Sequence, residues 1–314
     1  MMWQALVLTF IILASASITR INLQNSAVPE KRGGTWEPVV SLKTERAPFS
    51  YEKASVLGSV TVPRGPSRRW EVLDPKIGAE SVLVQSLDDQ FPFFHFNTYK
   101  TWPLASLTKL LTAVVVLEDI GADKKIPIDA AAVATEGEAG NLKSGEVYTA
   151  LDLLKIMLLT SSNDASAAFE NYLGKEEFVR RLNKKAAAIG MTQTIFHDAS
   201  GLSDLNVGTA SDMLRLARYI LEREPEIFNW TRLSNFLVQP INDVRVQTIS
   251  NINNLSARSD FLGGKTGTSE EAGENLLSLF SFKDYRLVAI ILGSPDRLRE
   301  TDSLLRWVNQ AYDF

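Results

Sequence analysis

ASLTKLLTA, residues 105–113, sets a serine and a lysine three positions apart in front of a run of leucines. Apolar residues at Leu107, Leu110, Leu111, Val114 and Leu117 follow the helical period, so the segment is predicted to be an amphipathic or buried helix of about three to four turns. Two readings of the polar pair follow. In one, Ser106 starts the helix and Lys109 runs its stem along the apolar surface to reach water. In the other, the i, i+3 spacing stacks the amine on the face of the hydroxyl, beside the free N–H groups of a helix start, where a neutral amine could take the hydroxyl proton. The four-residue pattern does not choose between them, because Ser50-Tyr51-Glu52-Lys53 repeats it in a stretch that reads as spacer.

The whole chain narrows the classes. Its 314 residues are 45% hydrophobic, enough to bury a large core as one large domain or a two-lobed one. A net charge of -4 and a pI near 5.4 argue against a nucleic-acid-binding surface. The absence of cysteine excludes thiolate catalysis, disulfides and cysteine-ligated metal, and is compatible with export. Two histidines, His95 and His197, leave little room for a histidine-rich metal site, and neither a metal nor another cofactor is expected.

Residues 1–20 carry an apolar run from Trp3 to Ile18 that contains Ala14-Ser15-Ala16, a signal-peptidase-like site. The run is short for a membrane span of roughly 20 residues and long enough for a secretory segment. No Lys or Arg precedes it and Arg20 follows, so a cleaved signal peptide and an uncleaved N-terminal membrane anchor both stand. Either places the remaining chain outside the cytoplasmic membrane. Residues 21–70, rich in Pro and Gly without a sustained period, read as a linker, and 71–314 as the folded domain.

Within that domain, Ser81 to Leu87 reads as a strand, Asp88-Asp89-Gln90 as a turn and Pro92 to Phe96 as its partner. Thr149 with Asp152 resembles a capping box before a helix that should end in SSNDAS. Further helices are predicted from about 165 to 173, 176 to 189 and 211 to 222. Past Asp260 come strands at GGKTGTS, Asn275 to Phe282 and Arg286 to Leu292, then a helix with one apolar face at Leu298, Leu304, Leu305, Val308 and Tyr312. Both ends of the domain should therefore build one antiparallel sheet and its middle a helical lobe, an α+β architecture with a cleft between the two.

Three short elements stand out in this layout: Ser106-x-x-Lys109 heading a helix, Ser161-Ser162-Asn163 at a helix break, and Lys265-Thr266-Gly267 on or beside a strand. Each has a plain reading, as helix start, as turn and cap, and as strand end with a glycine bulge. In this order and context their joint occurrence resembles the penicillin-binding serine acyl-transferases, which share one fold with the serine β-lactamases. ASLTKLLTA, LKSGEVYTALDLLKIMLLTSSNDAS, GMTQTIFHDASGL and FLGGKTGTSEEAG are similar to stretches of low-molecular-mass D-alanyl-D-alanine carboxypeptidases of the peptidase S11 type. The resemblance covers about residues 79 to 293.

That resemblance implies a β-lactamase/transpeptidase-like fold and an acyl-enzyme on Ser106. Acyl transfer needs a nucleophile, a base, a donor for the leaving amine and N–H groups aimed at the oxyanion. With no suitable histidine, Lys109 is the expected base, kept neutral by burial and by a second cation such as Lys265. Ser161 is expected to relay a proton to the departing D-alanine. By the resemblance, backbone N–H groups of Ser106 and Thr268 form the oxyanion hole, Asn163 holds the substrate amide, and Lys265, Thr266 and Thr268 bind the terminal carboxylate. The implied partners are peptidoglycan stem peptides ending in D-Ala-D-Ala and β-lactam antibiotics, with no nucleic acid.

A Ser-His-Asp triad built on His197-Asp198 is disfavoured, since sequence neighbours rarely have the required geometry; the pair is expected to cap and turn a loop. His95 is expected to be structural, FPFFHF to form a sheet edge packed on the terminal helix, and the Glu136/Glu138 and Glu270/Glu271/Glu274 groups to be solvated. Where the family has Asn-Pro and a histidine, this chain has His197-Asp198-Ala199 and Asn206, which the resemblance places near the site rim. The rival activities are a DD-endopeptidase with the same site, a β-lactamase, disfavoured because there is no Glu-x-x-Asn in the interval after Asn163 where the resemblance would place it, and a penicillin-acylated sensor that does not turn over.

Overall fold

The computed structural model describes residues 65–137 and 139–314. The expected export segment, most of the linker and the Ser50/Lys53 pair lie outside them. The central sheet has five antiparallel strands: β1 Ser81–Ser86, β2 Pro92–Phe96, β3 Phe261–Ser269, β4 Gly273–Phe282 and β5 Tyr285–Ser294. Their order is β3-β4-β5-β1-β2, so the strands from the two ends of the domain meet where Ile290 pairs with Leu83. The turn at Lys283-Asp284 joins β4 to β5 with Lys283 at φ 51°. All five strands lie within about two residues of their expected positions.

Seven helices of seven residues or more surround this sheet among the described residues: α1 Thr108–Val115, α2 Ala150–Thr160, α3 Asn163–Leu173, α4 Lys175–Ala188, α5 Ala210–Arg223, α6 Glu226–Arg232 and α7 Arg297–Ala311. Four of the seven start on side chains that take a free backbone N–H group of the first turn. Thr149 accepts from Asp152 N, Ser162 from Ala165 N, Thr209 from Asp212 N and Asp296 from Arg299 N. Thr149 caps this helix as expected, but the return contact differs from a capping box, since the Asp152 carboxylate accepts from the Thr149 hydroxyl at 2.9 Å. α1 continues past Val115 as a widened π turn, Val116–Ile120, so the opening segment runs longer than one regular helix.

The sheet separates two cores, and the period-2 alternation of β5 shows how. Leu287, Ala289 and Ile291 point to α7, where they meet Leu304, Val308 and Ala311. Val288, Ile290 and Leu292 point to the helical lobe with Leu107, Leu110 and Leu154. Each fully buried Leu, Ile or Val here contributes roughly 1.5–3 kcal/mol of transfer free energy, so both faces are needed to hold the strands in register. At the sheet edge, Phe94 packs edge-on against Trp307 of α7 with centroids 5.3 Å apart, as expected for FPFFHF.

Several short pieces had no signal in the sequence pattern. Trp102–Pro103 pairs with Val207–Gly208, Lys125–Pro127 with Val147–Thr149, and Asn235–Val238 with Gln247–Ser250. These ribbons are too short for periodicity to declare, and long-range pairing alone defines them. Ser67–Arg68 pairs with Tyr312–Asp313, so the end of the stretch read as linker lies against the last strand of the chain.

Candidate active site

Ser106 sits in a tight turn, Ala105–Leu107, immediately before α1. Ala105 has φ 45°, in the left-handed region that costs an L-residue about 1–2 kcal/mol. Two glycines make room for this turn. A Cβ on Gly201 would lie 1.9 Å from the Ala105 carbonyl oxygen, and one on Gly267 would lie 2.9 Å from the Leu104 carbonyl oxygen and 3.1 Å from Ser106 N. The backbone of β3 and the loop at Gly201 are thus pressed against the residues that aim the serine.

Lys109, one turn later, is fully buried. Its Nζ lies 2.9 Å from Ser106 Oγ, 2.8 Å from Asn163 Oδ1 and 2.6 Å from the Ser200 carbonyl oxygen. Burial lowers its pKa to about 7, opposed by the field of Asp198. The Asn163 amide cannot turn freely, because its Nδ2 donates to the Glu136 carbonyl at 2.8 Å and so presents Oδ1 to the lysine.

The second pair lies near enough to the first for the two lysine charges to interact. Ser161 ends α2 in a left-handed conformation, φ 60° and ψ 30°, which breaks the helix before Ser162 caps α3. Lys265 Nζ from β3 donates to Ser161 Oγ at 2.9 Å and to the Thr266 carbonyl at 2.8 Å. Burial pushes the Lys265 pKa well down, helped by the charges of Lys109 and Arg297. β3 is the sheet's edge strand. Thr266 is buried on it and Thr268 exposed. The three elements singled out in the sequence are therefore brought together around one serine.

The structure adds residues that the sequence did not single out. Arg297, at the start of α7, donates to the Gly267 carbonyl at 2.9 Å and to Thr268 Oγ1 at 2.6 Å. Only the return of α7 over β3 brings it there, so no local pattern marks it. Glu274 is not a free loop charge, since its Oε2 accepts from Arg297 N at 3.0 Å. The Ser200 carbonyl is a backbone group and carries no residue signature at all.

His197 and Asp198 behave as loop residues, as expected. The Asp198 carboxylate accepts from the backbone N–H groups of Ser200, Gly201 and Ser203 at 2.5–2.7 Å. Asn206 is not at a rim, as the resemblance implied, but fully buried. Its Oδ1 accepts from His197 N at 2.7 Å, and its Nδ2 donates to the Asp198 carbonyl at 3.0 Å, which makes it a brace for this loop. A cavity of about 260 Å³ opens on the far side of Asn163, with Thr135, Glu170, Asn171, Asp198 and Ser200 in its walls. Among the described residues no cluster of three or more His, Asp or Glu side chains could hold a metal ion.

A five-stranded antiparallel sheet with a helical lobe is the fold that this chain shares with solved DD-peptidase structures. A variant of the Streptomyces K15 DD-transpeptidase superposes with a TM-score of 0.69 at 22% identity, covering 76% of this chain and 100% of that one. The D-alanyl-D-alanine carboxypeptidase from Mycobacterium tuberculosis H37Rv superposes with a TM-score of 0.70 at 27% identity, covering 76% and 94%. The chain belongs to the peptidase S11 family, D-alanyl-D-alanine carboxypeptidase, whose model matches residues 72–296.

Among curated relatives, the D-alanyl-D-alanine carboxypeptidase DacC of Escherichia coli is 30% identical over 79% of this chain and 62% of its own length. The D-alanyl-D-alanine endopeptidase of Haemophilus influenzae is 34% identical over 56% of this chain and 61% of its own. The matches thus span about three fifths of the length of these two relatives.

Proposed function

We propose that this protein is a serine D-alanyl-D-alanine carboxypeptidase that removes the terminal D-alanine from peptidoglycan stem peptides through an acyl-enzyme on Ser106, and that penicillins acylate the same serine. The observation that carries the reading is the contact of 2.9 Å between the buried Lys109 amine and Ser106 Oγ. A neutral amine has two N–H donors and one lone pair. Asn163 Oδ1 and the Ser200 carbonyl can only accept, so they occupy both donors. The lone pair is left to the Ser106 hydroxyl, which is the arrangement a general base needs.

In the proposed sequence of steps, Ser106 Oγ attacks the carbonyl carbon of the penultimate D-alanine while its proton passes to Lys109. Backbone N–H groups of Ser106 and Thr268 stabilise the oxyanion. Collapse breaks the C–N bond and expels the terminal D-alanine. The Ser161 hydroxyl, with Lys265 beside it, gives its proton to the leaving nitrogen and takes up the one that Lys109 had accepted, which leaves Lys109 neutral again. Water then releases the shortened peptide and restores Ser106. Asn163 aligns the substrate amide. The terminal carboxylate is held by Lys265, Thr266 and Thr268, with Arg297 adding a second cation beside Thr268; an arriving carboxylate favours the protonated form of Lys265. The open edge of β3 supports binding of an extended peptide as an added strand.

The test is labelling with a fluorescent penicillin together with release of D-alanine from a D-Ala-D-Ala peptide. Wild type and Ser50→Ala should label and turn over, and Ser106→Ala should do neither. Labelling that survives Ser106→Ala overturns the assignment, and labelling without D-alanine release favours a sensor.

A DD-endopeptidase acting on cross-links is the second reading, favoured by the relatives of that name in Haemophilus influenzae and Pseudomonas aeruginosa. Cross-linked and linear muropeptides offered in competition distinguish it. An extracytoplasmic location, with residues 1–20 as signal peptide or anchor, follows from a peptidoglycan substrate. Among the described residues no helix is long and apolar enough to cross a membrane.

A further inference from the structure

The loop at residues 198–203 is held by two carboxylates that the proposed reaction does not use. Asp198 and Glu170 are each more than nine-tenths buried. Asp198 Oδ1 accepts from Ser200 N at 2.7 Å, Ser200 Oγ at 3.0 Å and Gly201 N at 2.5 Å, while Oδ2 accepts from Ser203 N at 2.7 Å. Glu170 Oε1, two turns along α3 from Asn163, accepts from Ala199 N at 2.5 Å. Three consecutive N–H groups, those of Ala199, Ser200 and Gly201, and that of Ser203 are thereby drawn onto acidic oxygens, which are stronger acceptors than neutral ones.

The same loop turns its carbonyls towards α1. Thr112 Oγ1 donates to the Ala199 carbonyl at 2.7 Å and Lys109 Nζ to the Ser200 carbonyl at 2.6 Å. Thr112 and Lys109 are one turn apart on one face of α1, so consecutive loop carbonyls are clamped by i, i+3 donors. Gly201, the next residue, makes the close approach to the Ala105 carbonyl described above. A single carboxylate side chain therefore determines where both the partner of the lysine and the neighbour of the serine's turn lie.

We propose that Asp198 is a positioning residue for acylation, holding the Ser200 carbonyl on Lys109 and, through its negative charge, governing how readily Lys109 gives up its proton. This rests on the reading of Lys109 as the base for Ser106. The geometric part is the set of four hydrogen bonds that fix the loop. The electrostatic part follows from the surroundings of Lys109. Burial disfavours the charged form of Lys109 and Asp198 opposes that effect, while the charges of Lys109 and Arg297 in turn add to the lowering of Lys265 on β3. Glu170 from α3 faces Asp198 and Lys175 rather than the lysine, and burial raises its pKa with Asp198 adding to the rise.

The charge and the geometry are separable by substitution. Asp198→Asn keeps the Oδ1 acceptor for Ser200 N, Ser200 Oγ, Gly201 N and Asn206 Nδ2, loses the Oδ2 acceptor for Ser203 N, and removes the charge. Lys109 then deprotonates at lower pH, so the acid limb of the acylation profile moves down. Asp198→Glu keeps the charge but displaces the acceptors by one carbon, so the plateau rate falls while the limb stays in place.

The experiment measures the second-order rate of acylation of the full chain by a fluorescent penicillin from pH 5 to 9 for wild type and both variants, with Ser106→Ala as the reference for site. For Asp198→Asn the expected result is a midpoint lower by roughly 0.5 pH unit or more. For Asp198→Glu it is an unshifted midpoint and a plateau reduced about tenfold or more. A folded Asp198→Asn protein with the wild-type midpoint overturns the electrostatic role, and an Asp198→Glu protein with the wild-type plateau overturns the positioning role. Should Asp198→Asn not fold, the Asp198→Glu measurement still decides the positioning. Wild-type labelling that persists in Ser106→Ala is a failure of the acyl-enzyme reading and is seen independently of either variant.

Discussion

Gly201 and Ala105 approach so closely that a Cβ on the glycine would stand 1.9 Å from the alanine's carbonyl oxygen. Gly201 also has φ 84°, a conformation an L side chain rarely adopts. The glycine is thus required twice, once by its own backbone and once by the turn that carries Ser106. Gly201→Ala should destabilise the fold by at least about 2 kcal/mol, combining strain with displacement of packed backbone. A shift of the serine of about 1 Å should cost acylation around 100-fold. Urea unfolding and penicillin labelling check the two effects separately, and a variant with native stability and labelling contradicts the contact.

The pKa of Lys109, lowered to about 7, makes a prediction with a definite sign. The base is the neutral amine, so acylation should rise as pH increases through about 7 and level off above it. Stability follows linkage. Between the lowered folded value and the ordinary unfolded value of 10.5, the unfolded chain binds more protons at this site, so its contribution to stability grows as pH rises through that window. Lys109→Met removes the group. The wild-type minus variant difference in unfolding free energy should therefore increase from pH 7 to pH 10, and a flat or falling difference contradicts the lowered pKa.

Arg297 links α7 to the strand beside the serine through Gly267 and Thr268. If it also attracts the substrate's carboxylate, Arg297→Leu should raise KM for a D-Ala-D-Ala peptide about tenfold, the scale of one lost charge-assisted hydrogen bond. An amidated peptide lacking the terminal carboxylate should lose this dependence. Equal effects on both substrates would point to a change in strand position instead.

Away from the site, Glu146 is buried and accepts from Tyr148 OH at 2.9 Å and Lys143 N at 2.9 Å, with Arg245 as its ion-pair partner. The carboxylate and burial together push the Tyr148 hydroxyl pKa up. Arg245→Ala leaves this carboxylate without its cation and should cost about 2–4 kcal/mol. Replacing Glu146 and Arg245 together should cost less than the sum of the two single changes, a coupling that a double-mutant cycle measures.

Much of the fold is legible along the chain because its signals are local. The short aliphatic, β-branched runs in SVLVQSL and in residues 285–294, the Thr149 cap and the apolar face of α7 each lie within one element, and each element forms where those residues stand. The ribbon Asn235–Val238 with Gln247–Ser250 is not legible in the sequence because each strand is only four residues long, too short for its alternation to stand out from the surrounding loop. Asn206 was misplaced at a rim for a related reason: burial of a lone polar residue depends on partners that lie elsewhere in the chain.

The order and spacing of residues alone determined the pairing of Ser106 with Lys109, since one helical turn suffices to bring them together, and determined the five strands of the central sheet and the longer helices. Tertiary structure decided that the amine is dry and which way its lone pair points. Its other partners lie 54 and 91 residues away, and Lys265 reaches Ser161 across 104. The physical reason is that proton affinity depends on desolvation and on the full set of neighbouring dipoles and charges, and those are assembled only when the helical lobe closes on the edge of the sheet.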